Sequence, residues 1–253
     1  MTEKEAEDLC RMIRIGVDLS PKYNYHPETG EELKNLIEEL IEERGNEADL
    51  NDVDVSRIED MNRLFINSSK FNGDISNWNV KRVKDMNFMF AWSQFNGDIS
   101  NWDVSRVKDM SGMFCDSKFN GDISKWNVSG VENMGYMFFN SQFNGDISKW
   151  NVSRVKSMEG MFCRSQFNSD ISKWDVSKVE DISDMFCESQ FNGNISNWNV
   201  SKVENMRGMF AFSQFNGNIS NWNVSKVRDM SWLFTGSKFN GGISKWAKKP
   251  SII

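Results

Sequence analysis

Tryptophan recurs every 24 residues through most of this chain. Trp78, Trp102, Trp126, Trp150, Trp174, Trp198, Trp222 and Trp246 hold that step without a slip, and Phe71 through Phe239 hold it too, each followed by Asn. A fixed period in the 20–50 range marks a solenoid or array, in which each unit leans on its neighbours instead of closing a core of its own. Counted from the residue after each Trp, the coils run 79–102, 103–126, 127–150, 151–174, 175–198, 199–222 and 223–246. A first coil, 54–78, has one extra residue within Ile66-Asn67-Ser68-Ser69-Lys70, in a loop, where an insertion costs least.

Each coil has two apolar patterns. Trp102-Asp103-Val104 alternates, which predicts a strand with Trp and Val on one side. Val107, Met110, Met113 and Phe114 fall at helical spacing, with Ser105 placed to cap the helix. Ser56/Glu59, Ser129/Glu132, Ser177/Glu180 and Ser201/Glu204 complete capping boxes at the same point. The Asn-Gly of Phe119-Asn120-Gly121 suits a tight turn with positive φ. The expected fold is therefore α/β: a solenoid of eight coils, with short parallel strands on one face and short helices or turns opposite. Stacking should place Trp on Trp and Phe on Phe, with roughly 1.5–3 kcal/mol from each fully buried side chain. The Asn after each Phe should form a ladder, its amide bonding turn backbone in its own coil and the next.

Residues 1–49 read as a helical N-terminal cap, 50–246 as the solenoid and 247–253 as a tail that leaves the pattern. A helix is expected within 1–20. In a second, Thr29 and Glu32 form a capping box, Leu33, Leu36, Ile37, Leu40 and Ile41 line one face, and Gly45 ends it. Of the net charge of −6, residues 1–49 carry −8 and the rest +2. That balance gives no phosphate-binding surface, so nucleic acid is not an expected partner. No stretch approaches 18 apolar residues, so no membrane span is expected, and the first residues lack the pattern of a secretory signal.

The apolar-x-x-Trp-x-Val segment followed by Val-x-x-Met-x-x-Met-Phe, as in Trp102 to Phe114, looks like a leucine-rich repeat with its leucines replaced. With the Phe-Asn-Gly-Asp-Ile-Ser turn and the opening segment Asp49 to Ser56, it resembles the BspA-like leucine-rich-repeat surface proteins of bacteria over about 50–246. The resemblance implies a binding or adhesion role, usually at the cell surface, without catalysis.

The residues themselves offer no converging acids, bases or nucleophiles. His26 is the one histidine and lies in a polar loop; the Ser residues have no His to activate them. Cys115, Cys163 and Cys187 share one repeat position with Ala91, Phe139, Ala211 and Thr235, which reads as packing, although a Cys163–Cys187 disulfide is conceivable. No catalytic residue, cofactor or metal site is expected. Two sets remain as candidates for a protein or glycan partner. Flanking the Trp column, Asn101, Asp103, Lys125, Asn127, Lys149, Asn151, Lys173 and Asp175 should form a flat polar strip. On the other side, Trp92, Tyr136, Phe212 and Trp232, with Phe88 and Phe139, replace small or polar residues of other coils. Coil 223–246 has no cap like 31–44, so weak self-association through that end is a further expectation.

Overall fold

The computed structural model describes residues 23–247. The helix expected within 1–20, Cys10 and the tail beyond residue 247 lie outside that range. One helix, α1, spans Gly30–Arg44. The Glu32 amide donates to Thr29 Oγ1 at 3.1 Å, and the Glu32 carboxylate reaches back one residue further than a capping box requires, accepting from the Glu28 amide at 2.8 Å. Gly45, at φ 89°, ends the helix and donates to Ile41 O. Leu33, Ile37 and Leu40 are buried in the same core as Ile58, Met61 and Leu64 of the first coil. Arg44 bonds both oxygens of Asp52 at 3.0 and 3.2 Å, which ties the end of α1 to the start of the array.

The repeats stack in register, but the ladder runs where the sequence pattern predicts a helix. In coil 103–126 the amides of Met110, Gly112, Phe114 and Asp116 donate to Asn133, Gly135, Met137 and Phe139 of the next coil at 2.8–3.0 Å. The intervening amides of Met113, Cys115 and Ser117 close turns onto the carbonyl three residues back. Other coils repeat this, with one parallel bridge per coil along Asp60, Asp85, Asp109, Asn133, Ser157, Asp181, Asn205 and Asp229. The expected helices and their Ser/Glu capping boxes are absent. The reason is amide accounting: a helix of two turns leaves its first four amides without intrahelical partners. The ribbon of turns gives every second amide a carbonyl in the neighbouring coil. Val107, Met110, Met113 and Phe114 still all point into the core.

The expected strand also does not form a ladder. Trp102 and Val104 are buried with Asp103 outside, as alternation requires, yet no backbone pairing between coils runs through them. Side chains tie the coils there. Trp126 Nε1 donates to Ile99 O at 3.0 Å, and every Trp of the array makes the equivalent bond to the preceding coil. The Asn column works similarly: Asn120 Oδ1 accepts from the Asn144 amide at 3.0 Å, and the bond recurs from Asn72 to Asn240. It runs to the next coil only, not within the coil as well.

The Asn-Gly turn does not use positive φ either. Gly121 has ordinary φ; a Cβ there would stand 2.9 Å from the Phe119 ring of its own coil, so close ring approach explains the glycine. Between these columns the core is a stack of aromatic rings. Phe114 lies 4.2 Å from Phe119 in its own coil and 5.8 Å from Phe138 in the next, with planes within 12°. Among the described residues no buried side-chain polar atom lacks a partner.

Candidate ligand faces

The polar strip beside the Trp column divides into two unlike halves. Asn101, Lys125, Lys149 and Lys173 are exposed and project from the coil. Asp103, Asn127, Asn151 and Asp175 are exposed too, but each Oδ1 accepts the amide of the Ser two residues on, at 3.0–3.2 Å. These are Asx turns, which take over the place of the expected caps. Hydrogen bonds from Ser105 and Ser177 hold the Asp103 and Asp175 carboxyls below the usual carboxylate range. That half of the strip is committed to shaping the coil.

The aromatic candidates stand on the outer side of the laddered ribbon, in two columns of residues with positive φ. One column holds Arg63, Phe88, Gly112, Tyr136, Gly160, Asp184, Gly208 and Trp232, at φ 50–61°. The other includes Trp92, Asp116, Asn140, Arg164, Glu188 and Phe212, at φ 48–57°. Left-handed backbone costs a bulky residue about 1–3 kcal/mol and persists only where its surroundings enforce it. Here the turns that free alternate amides for the ladder enforce it in every coil.

What each position carries is then free to vary. Trp92, Phe212 and Trp232 are 51, 59 and 48 % exposed. Trp92 stacks on Phe88 at 5.8 Å, Arg63 stands 5.8 Å from the Phe88 ring, and Arg207 lies 4.5 Å over Trp232. Tyr136 is half-buried, meets Phe139 edge-on at 6.0 Å and donates to Glu159; burial and that carboxylate push its phenol well above the usual range. Between the aromatics, Asn140 bonds Asp116, and Arg164 pairs with Glu188 at 2.9 Å. The candidates are thus spread along one face, with the exposed aromatics Trp92, Phe212 and Trp232 toward the ends and half-buried Tyr136 among polar residues in the middle, without converging on a pocket.

Two sets of residues escape a reading of the sequence by windows. Glycines alternate with large residues in the first left-handed column: a Cβ on Gly112 would lie 2.4 Å from the Phe88 ring, on Gly160 2.5 Å from Tyr136, and on Gly208 2.0 Å from Asp184. Each large side chain therefore rests on the bare backbone of the next coil. The second set is basic. At the fourth position of each coil stand Arg or Lys in every copy but one, Gly130. Both sets appear once the sequence is read down a column at the 24-residue step.

The cysteines Cys115, Cys163 and Cys187 are free thiols, and burial pushes that of Cys115 up to about 12. His26 is exposed, 3.4 Å from Asp54. Among the described residues no helix is long and apolar enough to cross a membrane. The model of a family described as Mycoplasma protein of unknown function, DUF285, matches residues 32–142, 94–188, 116–211 and 163–251. No curated protein and no solved structure matches the chain.

Proposed function

The chain belongs to the DUF285 family, whose matches run from residue 32 to residue 251, and we propose that it is a non-enzymatic scaffold, a leucine-rich-repeat-like solenoid of the BspA-like kind, that holds a protein or glycan partner along one face. One observation carries this reading. Eight coils keep the same buried frame, while the large side chains on the two left-handed columns change from coil to coil among Trp, Phe, Tyr, Arg, Asp, Asn and Glu. A frame held constant beneath a varied outer surface is the arrangement of a binding module. Trp, Tyr and Arg are also the side chains that supply most of the energy at protein interfaces. The Trp strip is the weaker candidate, since half of it is occupied by its own turns.

Random peptides displayed on phage and a glycan array, screened against the chain, test the proposal. Binders selected on the wild type should lose roughly tenfold or more affinity, about 1.4 kcal/mol, on a Trp92→Ala/Phe212→Ala/Trp232→Ala variant. They should keep it on Lys125→Glu/Lys149→Glu/Lys173→Glu. The opposite pattern would move the partner to the Trp strip, and an absence of binders would overturn the reading.

A second reading, end-to-end assembly, draws on the last coil. The amides of Met230, Trp232, Phe234 and Gly236 find no acceptor among the described residues, although their counterparts in coils 79–222 all do. Sedimentation velocity across a hundredfold range of concentration separates the two readings: assembly requires mass that grows without any partner.

A further inference from the structure

The basic column stands at the fourth coil position, outside both left-handed columns. It splits in two at Gly130. On the N-terminal side Arg57 pairs with Glu28 at 2.8 Å and Arg82 with Glu59 at 3.1 Å. On the C-terminal side Arg154, Lys178, Lys202 and Lys226 stand in four consecutive coils, all exposed, and none of them forms a salt bridge among the described residues. The nearby acids are mostly engaged elsewhere: Glu132 pairs with Lys156 at 2.8 Å and Glu204 with Arg228 at 3.3 Å, while Arg154 acts on Glu132 and Lys178 on Asp175 only through their charge.

Like charges side by side on neighbouring strands repel, which favours mixing signs. The position two residues on mixes them, with Glu132, Lys156, Glu180, Glu204 and Arg228. The fourth position does not. An unbroken run of one sign, kept against that cost and making no salt bridge among the described residues, is complementary to a linear anion lying along the stack. The Trp rings four residues before this column step by 6.4–6.5 Å from coil to coil, so with one residue per coil the four cations span roughly 19 Å.

We propose that coils 151–246 bind an extended acidic polysaccharide, with about one carboxylate per sugar, along Arg154, Lys178, Lys202 and Lys226. Charge density selects this partner over nucleic acid. Duplex DNA carries one negative charge per about 1.7 Å of axis, roughly three to four times what the column can match. Asp175, Glu180 and Glu204 alongside would face the surplus. A polyuronate carries only one carboxylate per sugar, a far lower density that one cation per coil can answer. This inference does not rest on the variable face and survives if that face binds nothing.

Isothermal titration with polygalacturonate, neutral dextran and a 30-base-pair duplex, from low to physiological salt, tests it. Polygalacturonate should bind, dextran should not, and the affinity should fall as salt rises through release of roughly four counterions. The variant Arg154→Gln/Lys178→Gln/Lys202→Gln should lose roughly tenfold or more at low salt and flatten the salt slope. Lys70→Gln/Lys118→Gln/Lys238→Gln removes the same charge elsewhere and should leave binding unchanged. Arg154→Lys retains the charge and should bind as the wild type does. Equal losses in the two triple variants would show a general charge effect and overturn the site. Tighter binding of the duplex would overturn the choice of partner, and no binding of polygalacturonate would overturn the proposal outright.

Discussion

A methyl group at Gly112 would meet the Phe88 ring at 2.4 Å, on a residue whose φ is already 61°. Two penalties are therefore combined at one position, and they can be separated. Gly112→Ala should cost about 1–3 kcal/mol in urea unfolding, through backbone strain plus the clash. In a Phe88→Ala background only the strain remains, so the same substitution should cost less by about 1 kcal/mol. Equal costs in the two backgrounds would mean that the ring does not rest on the glycine. In the sequence, Gly112, Gly160 and Gly208 look like weak points of a helix. Their meaning depends on Phe88, Tyr136 and Asp184 one period earlier, a relation with no local trace. The buried Trp, Phe, Met and Val were legible residue by residue, because inside and outside follow from spacing alone. The spread of Trp92, Tyr136, Phe212 and Trp232 along one face was legible too, but not the left-handed backbone beneath them.

Among the elements, α1 was readable almost to its ends, since its cap, apolar stripe and terminating glycine are all local. The coil elements were not. Val107, Met110, Met113 and Phe114 are as compatible with a run of turns as with a helix; the choice is made by where the amides find carbonyls, and that depends on the neighbouring coil. The Asx turns were hidden likewise, because a Ser after Asp or Asn serves a cap or a turn equally well. These turns have a consequence in acid. Asp98, Asp122, Asp146 and Asp170 each accept at 2.9 Å from the Ser two residues on, and those bonds hold the carboxyls below their usual range. A lowered folded pKa gives stability that is complete above the unfolded value, near 4, and is lost as pH falls through the folded one. Asp85 and Asp184 act in the opposite sense: burial raises them, so acid relieves a cost there. Asn194 and Asn218 make the same turn without a charge, at 3.1 and 3.0 Å. Replacing the four aspartates by Asn should therefore leave the circular dichroism at pH 7 unchanged and move the acid unfolding midpoint to lower pH. An unmoved midpoint would place the acid sensitivity elsewhere.

For the whole molecule, the 24-residue step implies that coils can be removed whole, provided that the new neighbours fit. Excising 127–150 brings Gly112 against Gly160, leaving room where Tyr136 had been. Excising 151–174 instead sets Tyr136 against Asp184 and removes Gly160, on which the ring rests. Both chains keep the ladder register, so both should fold, but the second should have the lower thermal midpoint; a reversed order would show that the alternation of large residue and glycine does not govern stacking. The Trp column has an optical consequence as well. Trp78 and Trp102 lie 6.3 Å apart with planes 5° from parallel, and Trp198, Trp222 and Trp246 continue at 6.5 and 6.4 Å with planes 2 and 6° apart. At such separations light absorbed by one indole migrates to the next before it is emitted. Aligned rings pass on the direction of polarisation along with the energy, so the folded array should emit with high anisotropy despite the transfer. A single coil turned out of register would scramble that direction, and the loss of polarised emission would report the slip without any added label.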